Sequence, residues 1–131
     1  MSTKITCAYK GDGQTELVHE PTGVKIQTDL PPDSGGKGRA FSPTDLFAAS
    51  LASCILTIMG GVARRDGRDI SGAEIEIEKE MASNPRRVGR FLLKLKLPAG
   101  TTAQEREKYL ACVKACPVHR SLHPDIKVEL L

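Results

Sequence analysis

The chain has 131 residues, a length that suits one ordinary domain and leaves little room for a second. Apolar residues make up 40% of it, but with three phenylalanines, two tyrosines and no tryptophan the core has to be built from Leu, Ile, Val and Ala. The net charge of +3 is spread over short clusters such as Arg64-Arg65 and Arg86-Arg87, interleaved with acids and not with aromatics, which argues against a nucleic-acid-binding surface.

The opening Met1-Ser-Thr-Lys-Ile-Thr-Cys7 contains no apolar signal region, and no apolar stretch reads as long enough and free enough of polar breaks to span a bilayer. The expectation is a soluble cytoplasmic protein with no membrane partner. In a reducing compartment the cysteines Cys7, Cys54, Cys112 and Cys116 are buried, catalytic or metal-bound, and do not form a disulfide framework.

Residues 4–9 and 15–19 alternate as strands do across the turn-rich Lys10-Gly-Asp-Gly13, and 24–28 follows the break at Pro21-Thr-Gly23, so an antiparallel meander opens the chain. Residues 30–39 carry two prolines, glycines and Asp33-Ser34, a long loop of the kind that often serves function. Ser42 is a good N-cap, Pro43 suits the first helical position and Asp45 sits where a capping-box acid reaches back, so a helix starts there. From Leu46 to Val62 it is apolar on nearly every face, which marks a helix buried in a core or between subunits. Residues 70–81 and 91–97 alternate around the turn Ser83-Asn-Pro85 and read as two paired strands. Thr102 and Glu105 form a second capping box opening a helix through about Cys116, Pro117 breaks it, and a short helix over 118–122 and a strand over 126–131 complete an α+β chain without internal repeats.

Cys54 and Cys116 are where chemistry is expected. Cys54 lies mid-helix, where a thiol usually packs as a small hydrophobe. Its helix, however, follows a loop bearing the cations Lys37 and Arg39, and a thiolate at neutral pH needs positive charge nearby. Asp45 is either a capping acid or the carboxylate that orients such a cation. Cys116 precedes a proline and can serve as N-cap of the next turn, where backbone N–H groups would lower its pKa. Cys112, Cys116, His119 and His123 offer zinc ligands by type, but familiar Cys2His2 sites separate the pairs by about a dozen residues, and here Pro117 and one short helix would have to supply all the convergence. No metal is therefore assigned, and no cofactor is called for.

The motif Ser42-Pro-Thr-Asp-Leu-Phe-Ala-Ala-Ser-Leu-Ala-Ser-Cys54, followed much later by Ala115-Cys-Pro-Val-His-Arg-Ser-Leu122, resembles the OsmC/Ohr family of osmotically inducible and organic hydroperoxide resistance proteins along nearly the whole chain. The resemblance implies antiparallel sheets around a long buried central helix in an intertwined homodimer, and a thiol peroxidase for organic hydroperoxides. It also implies Cys54 as the peroxidatic and Cys116 as the resolving cysteine, with a dithiol reductant, lipoyl-type in the Ohr branch. Phe41, Phe47, Leu51 and Met59 would wall an apolar substrate pocket. The chain departs from the well-characterised Ohr pattern in having Lys10-Gly-Asp-Gly13 where those members carry an arginine, and Thr44 ten residues before the cysteine where they carry a glutamate. Arg39, then Lys37, is the substitute cation, with Asp45 as its carboxylate. A non-enzymatic or redox-sensing member of the same fold is the alternative, and a small zinc-binding module a more distant one.

Overall fold

The alternating segments at the start of the chain fold as the meander their pattern predicts. In a computed structural model describing residues 1–131, strands β1 (Ile5–Gly11), β2 (Gln14–His19) and β3 (Val24–Asp29) form an antiparallel sheet in the order β1-β2-β3. The first turn is tight because Asp12 takes a positive φ of 54° between Gly11 and Gly13, a conformation that Asp tolerates better than most residues. Beyond β3 a 3₁₀ turn (Pro32–Ser34) starts a loop folded back on itself. A Cβ on Gly36 would sit 2.0 Å from the Leu30 carbonyl oxygen, and Gly38, at φ 61°, would press one to 2.7 Å from Pro32 Cδ, so no larger residue fits either place.

This segment belongs to the first of two compact units, Met1–Leu46 and Phe47–Leu131. Its buried side chains are Thr28, Asp29 and Ser42, all polar, while Ile5, Tyr9, Val24, Ile26, Leu30 and Phe41 are exposed. Thr15 and Thr28, opposite each other on β2 and β3, join their hydroxyls across the sheet.

Helix α1 (Pro43–Arg65) starts as its sequence predicts: Ser42 Oγ accepts the Asp45 N–H at 3.0 Å and Asp45 Oδ2 accepts the Ser42 N–H at 2.9 Å. By length and composition this helix could cross a membrane, with a mean hydropathy of 2.0, contrary to the reading that no stretch is long and apolar enough. It is a core helix here. Ala48, Leu51, Ala52, Ile55, Met59 and Ala63 form a buried stripe at helical spacing, and Ser50, Ser53 and Thr57 lie exposed.

The core of the second unit joins that stripe to Val88, Phe91 and Leu93 of the sheet and to Tyr109, Cys112 and Cys116. Its sheet runs β4-β5-β6, with β4 (Glu74–Ala82) antiparallel to β5 (Arg87–Lys96), and β6 (Lys127–Leu130) parallel to β5 on the other side. Along β4 the glutamates 74, 76, 78 and 80 point outward and the intervening side chains inward. The strand begins later than its apolar alternation suggests, because Asp69 Oδ1 accepts the Ser71 N–H at 2.8 Å and bends residues 69–72 into a turn. The expected helix over 102–116 is divided into α2 (Ala103–Leu110) and α3 (Cys112–Ala115), and α4 (Pro117–Arg120) follows at Pro117. The capping box of Thr102 and Glu105 is present as read.

Candidate active site

Cys54 and Cys116 meet. Cys54 is half-buried on α1, packed against the core between the fully buried Leu51 and Ile55. Cys116 ends α3 in an extended conformation (φ −73°, ψ 142°) that its following proline favours, and so becomes the N-cap of α4. Its Sγ accepts the His119 backbone N–H at 3.3 Å, and the Cys54 thiol lies near enough to influence its charge. All the cysteines are unbridged.

The capping geometry expected at Cys116 is present, but the expected fall in its pKa is not. Burial pushes the Cys116 thiol up, the His119 N–H opposes that, and the neighbouring Cys54 thiol raises it further. Cys116 is 0% exposed, so desolvation outweighs the N-cap. Such a thiol stays protonated at neutral pH and is suited to being the second sulfur of a pair, attacking an electrophilic partner after losing its proton to it.

The other cysteines lie elsewhere. Cys7 is exposed on β1. Cys112 is buried and points its thiol at the Lys108 carbonyl at 3.8 Å, and burial raises its pKa against the pull of Arg65 and Lys108. Cys112, Cys116, His119 and His123 do not converge, and no group of three or more potential ligands is assembled. His123 Nδ1 instead accepts the Asp125 N–H at 3.1 Å.

Of the predicted pocket residues, Leu51 and Met59 are 0% exposed and belong to the packed core, not to a cavity wall. Phe41 borders a shallow groove of the first unit with Ile26 and Leu46. Phe47, edge-on to Phe91 with ring centroids 5.5 Å apart, does line a cavity of about 540 Å³ with Val88, Ile126, Arg87 and His123.

Arg39 is held within the first unit. Its Nε and Nη2 grip Asp29 at 2.7 and 3.2 Å, and its Nη1 and Nη2 reach Asp12 at 3.1 Å each; Lys37 Nζ joins Asp12 at 2.9 Å. The bidentate carboxylate is therefore Asp29, where Asp45 had been expected, while Asp45 serves the capping box of α1. Sequence reasoning missed both Asp29 and Asp12. Asp29 is held well below the ordinary carboxylate range, to about 2, first by the Arg39 side chain and then by the Arg39 backbone N–H, with burial opposing.

Residues 35–131 match the family model described as OsmC-like protein. The chain belongs to the OsmC-like family. A crystal structure from Psychrobacter arcticus 273-4, of a protein named for the osmotic stress and detoxification response, is 40% identical and superposes with a TM-score of 0.92 over 100% of this chain and 94% of that one. An organic hydroperoxide resistance protein from Legionella pneumophila shares the OsmC-like fold at 22% identity, with a TM-score of 0.76 over 99% and 95% of the two chains. An uncharacterized protein of Acinetobacter baylyi is 29% identical over 108 residues, 81% of this chain and 76% of that one. With its two small sheets and long helix, this OsmC-like chain has the α+β architecture that its motifs imply.

Proposed function

We propose that the protein is a cytoplasmic thiol-dependent peroxidase that reduces organic hydroperoxides to alcohols through Cys54 and Cys116. The observation that carries this reading is the meeting of a half-buried thiol on α1 with a fully buried one at the α4 N-cap. The Cys54 thiolate attacks the peroxide oxygen distal to the organic group. The O–O bond breaks, the alkoxide takes a proton and leaves as the alcohol, and Cys54 becomes a sulfenic acid. The Cys116 sulfur then bonds to the Cys54 sulfur, and the sulfenic oxygen departs as water with the Cys116 proton, leaving a disulfide. A dithiol, lipoyl-type by the family resemblance, reduces that disulfide by exchange and is itself oxidised. Arg39 is the group that favours the Cys54 thiolate, and Phe47 with its cavity receives the organic part of the substrate.

A homodimer is part of the reading. Three strands whose apolar side chains are largely exposed do not hold together alone in water, and Ile5, Tyr9, Val24 and Ile26 would gain cover from a second copy. A redox-sensing role without turnover is the second reading, favoured by the upward push on the Cys116 thiol, which slows resolution.

Anaerobic thiol titration before and after one equivalent of cumene hydroperoxide, with peptide mapping, tests the pair. The expected product is the Cys54 to Cys116 disulfide. Cys54→Ser abolishes turnover, and Cys116→Ser consumes about one peroxide per site and stalls at the oxidised thiol. A bridge dominated by Cys7 or Cys112, or no thiol loss, removes the assignment; disulfide formation without steady turnover selects the sensor.

A further inference from the structure

The chain has to cross over between β5 and β6, because the two strands run parallel. Helices α2, α3 and α4, residues 103–120, make that crossover. Its buried side chains are Tyr109, Cys112 and Cys116, half as many as α1 contributes to the same core. Two of these three anchors are thiols, which hold less apolar surface out of water than a leucine would. α3 and α4 have four residues each, and the break between them falls at Cys116 itself, before Pro117. A segment with so few buried apolar contacts belongs to the part of a fold that opens first.

Ion pairs hold this segment to the end of α1. Arg68 forks onto Glu105, Nε to Oε2 at 2.6 Å and Nη2 to Oε1 at 3.0 Å, and Asp66 pairs with Lys108. Glu105 and Lys108 are three apart on α2 and so share a face, which both pairs join to the single turn 66–68. Glu105 is 22% exposed and its Oε1 also accepts the Thr102 N–H at 3.0 Å, whereas the Lys108 and Asp66 side chains are 54% and 42% exposed. The fork is therefore the stronger of the two fastenings.

We propose that residues 103–120 form a strap that opens as one unit, carrying Cys112 and Cys116 into solvent together, and that the Arg68–Glu105 and Asp66–Lys108 pairs are the clasp that keeps Cys116 at its place near Cys54. The strap follows from packing and charge alone; its use rests on the peroxidase reading. Under that reading an open strap takes Cys116 away from the oxidised Cys54 and delays the bridge. Once formed, the Cys54 to Cys116 bridge ties the strap to α1 and locks it.

The measurement is alkylation of the intact reduced protein by iodoacetamide, a neutral probe, with peptide mapping of each cysteine. It needs no peroxide, so the strap and the peroxidase reading fail separately. Cys7, being exposed, reacts first. Cys112 and Cys116 are expected to react slowly and at matching rates, since both are ordinary thiols once the strap is open. The protection of both should fall with urea less steeply than global stability does. Glu105→Gln keeps an acceptor for the capping box but loses the charge, and should speed both by roughly fivefold; Lys108→Met should speed both by about twofold. Arg68→Gln added to Glu105→Gln should change little more, because the pair is already broken. After one equivalent of cumene hydroperoxide has bridged Cys54 to Cys116, alkylation of Cys112 should slow by roughly tenfold.

Cys116 reacting far faster than Cys112 overturns the proposal, because α4 then frays alone. So does a urea dependence equal to that of global unfolding, which leaves no smaller unit that opens. Unchanged rates in Glu105→Gln remove the clasp. Should that variant fail to fold, Lys108→Met decides, since its exposed side chain is not needed for the core. Unslowed Cys112 in bridged protein also overturns the strap. Failure to form the bridge at all counts against the peroxidase reading, and the rates in the reduced protein then decide about the strap by themselves.

Discussion

The two units of the chain are stabilised by different kinds of interaction. In Phe47–Leu131 the buried side chains are apolar, with Leu51, Ile55, Met59, Phe91 and Leu93 at 0% exposure around one face of α1. In Met1–Leu46 they are Thr28, Asp29 and Ser42, and the loop is held by a carboxylate instead of an apolar contact. Apolar burial is non-directional and tolerates repacking, whereas a buried carboxylate is stable only while each of its partners stays in place. Cys54 and Cys116 belong to the first kind of surroundings and the fixed guanidinium of Arg39 to the second.

The largest effect that tests this contrast is expected from Leu51→Ala, which leaves a cavity under α1 and should cost about 2–5 kcal/mol in thermal or urea unfolding. A loss well under 1 kcal/mol would mean that the core collapses around the gap and is looser than its burial suggests. Next comes acid. Asp29 is lowered from 3.8 to about 2 by Arg39, so its contribution is fully present above pH 3.8 and is lost as pH falls through about 2. The signal to follow is Tyr9, whose hydroxyl accepts the Gly13 N–H in the first unit, against Tyr109 in the second. The Tyr9 environment should change across that window in the native protein. Asp29→Asn should abolish the transition, and if the transition persists unchanged, the carboxylate does not hold the loop. The smallest effect is expected from Ile26→Ala. Ile26 is 47% exposed, so in the isolated chain the change should stay within about 0.5 kcal/mol. A loss of several kcal/mol that grows with protein concentration, with light scattering reporting a dimer that the variant weakens, would show that a second copy covers this sheet.

How much of this the sequence told depends on how local each feature is. The meander, the start of α1 at Ser42 and the capping box at Thr102 were readable because each is written within a few neighbouring residues. The N-cap role of Cys116 was equally local, but the direction of its pKa was not, since burial is decided by the helices and strands around it. Leu51 and Met59 read as pocket walls in the sequence because an apolar residue facing a cavity and one facing a packed core share the same spacing on a helix. Asp29 escaped notice for another reason. An acid at the end of a strand has no periodic signature, and its bonds to Arg39 exist only once the 30–39 loop has closed. The parallel pairing of β6 with β5 likewise joins segments far apart in sequence, where no local pattern records the partner.

The row of glutamates along β4 bears on how the protein behaves in the test tube. β4 is an edge strand with Glu74, Glu76, Glu78 and Glu80 outward; Glu74 and Glu76 face Lys96 and Lys94 on β5, but the far side of β4 has no paired strand. A second molecule offering the same edge would bring carboxylate against carboxylate at each repeat, which discourages sheets from joining into fibres. Acidification strips that repulsion at the edge while the net positive charge of the chain, +3 at neutral pH, grows, so the local guard is lost at the pH where whole molecules repel one another most.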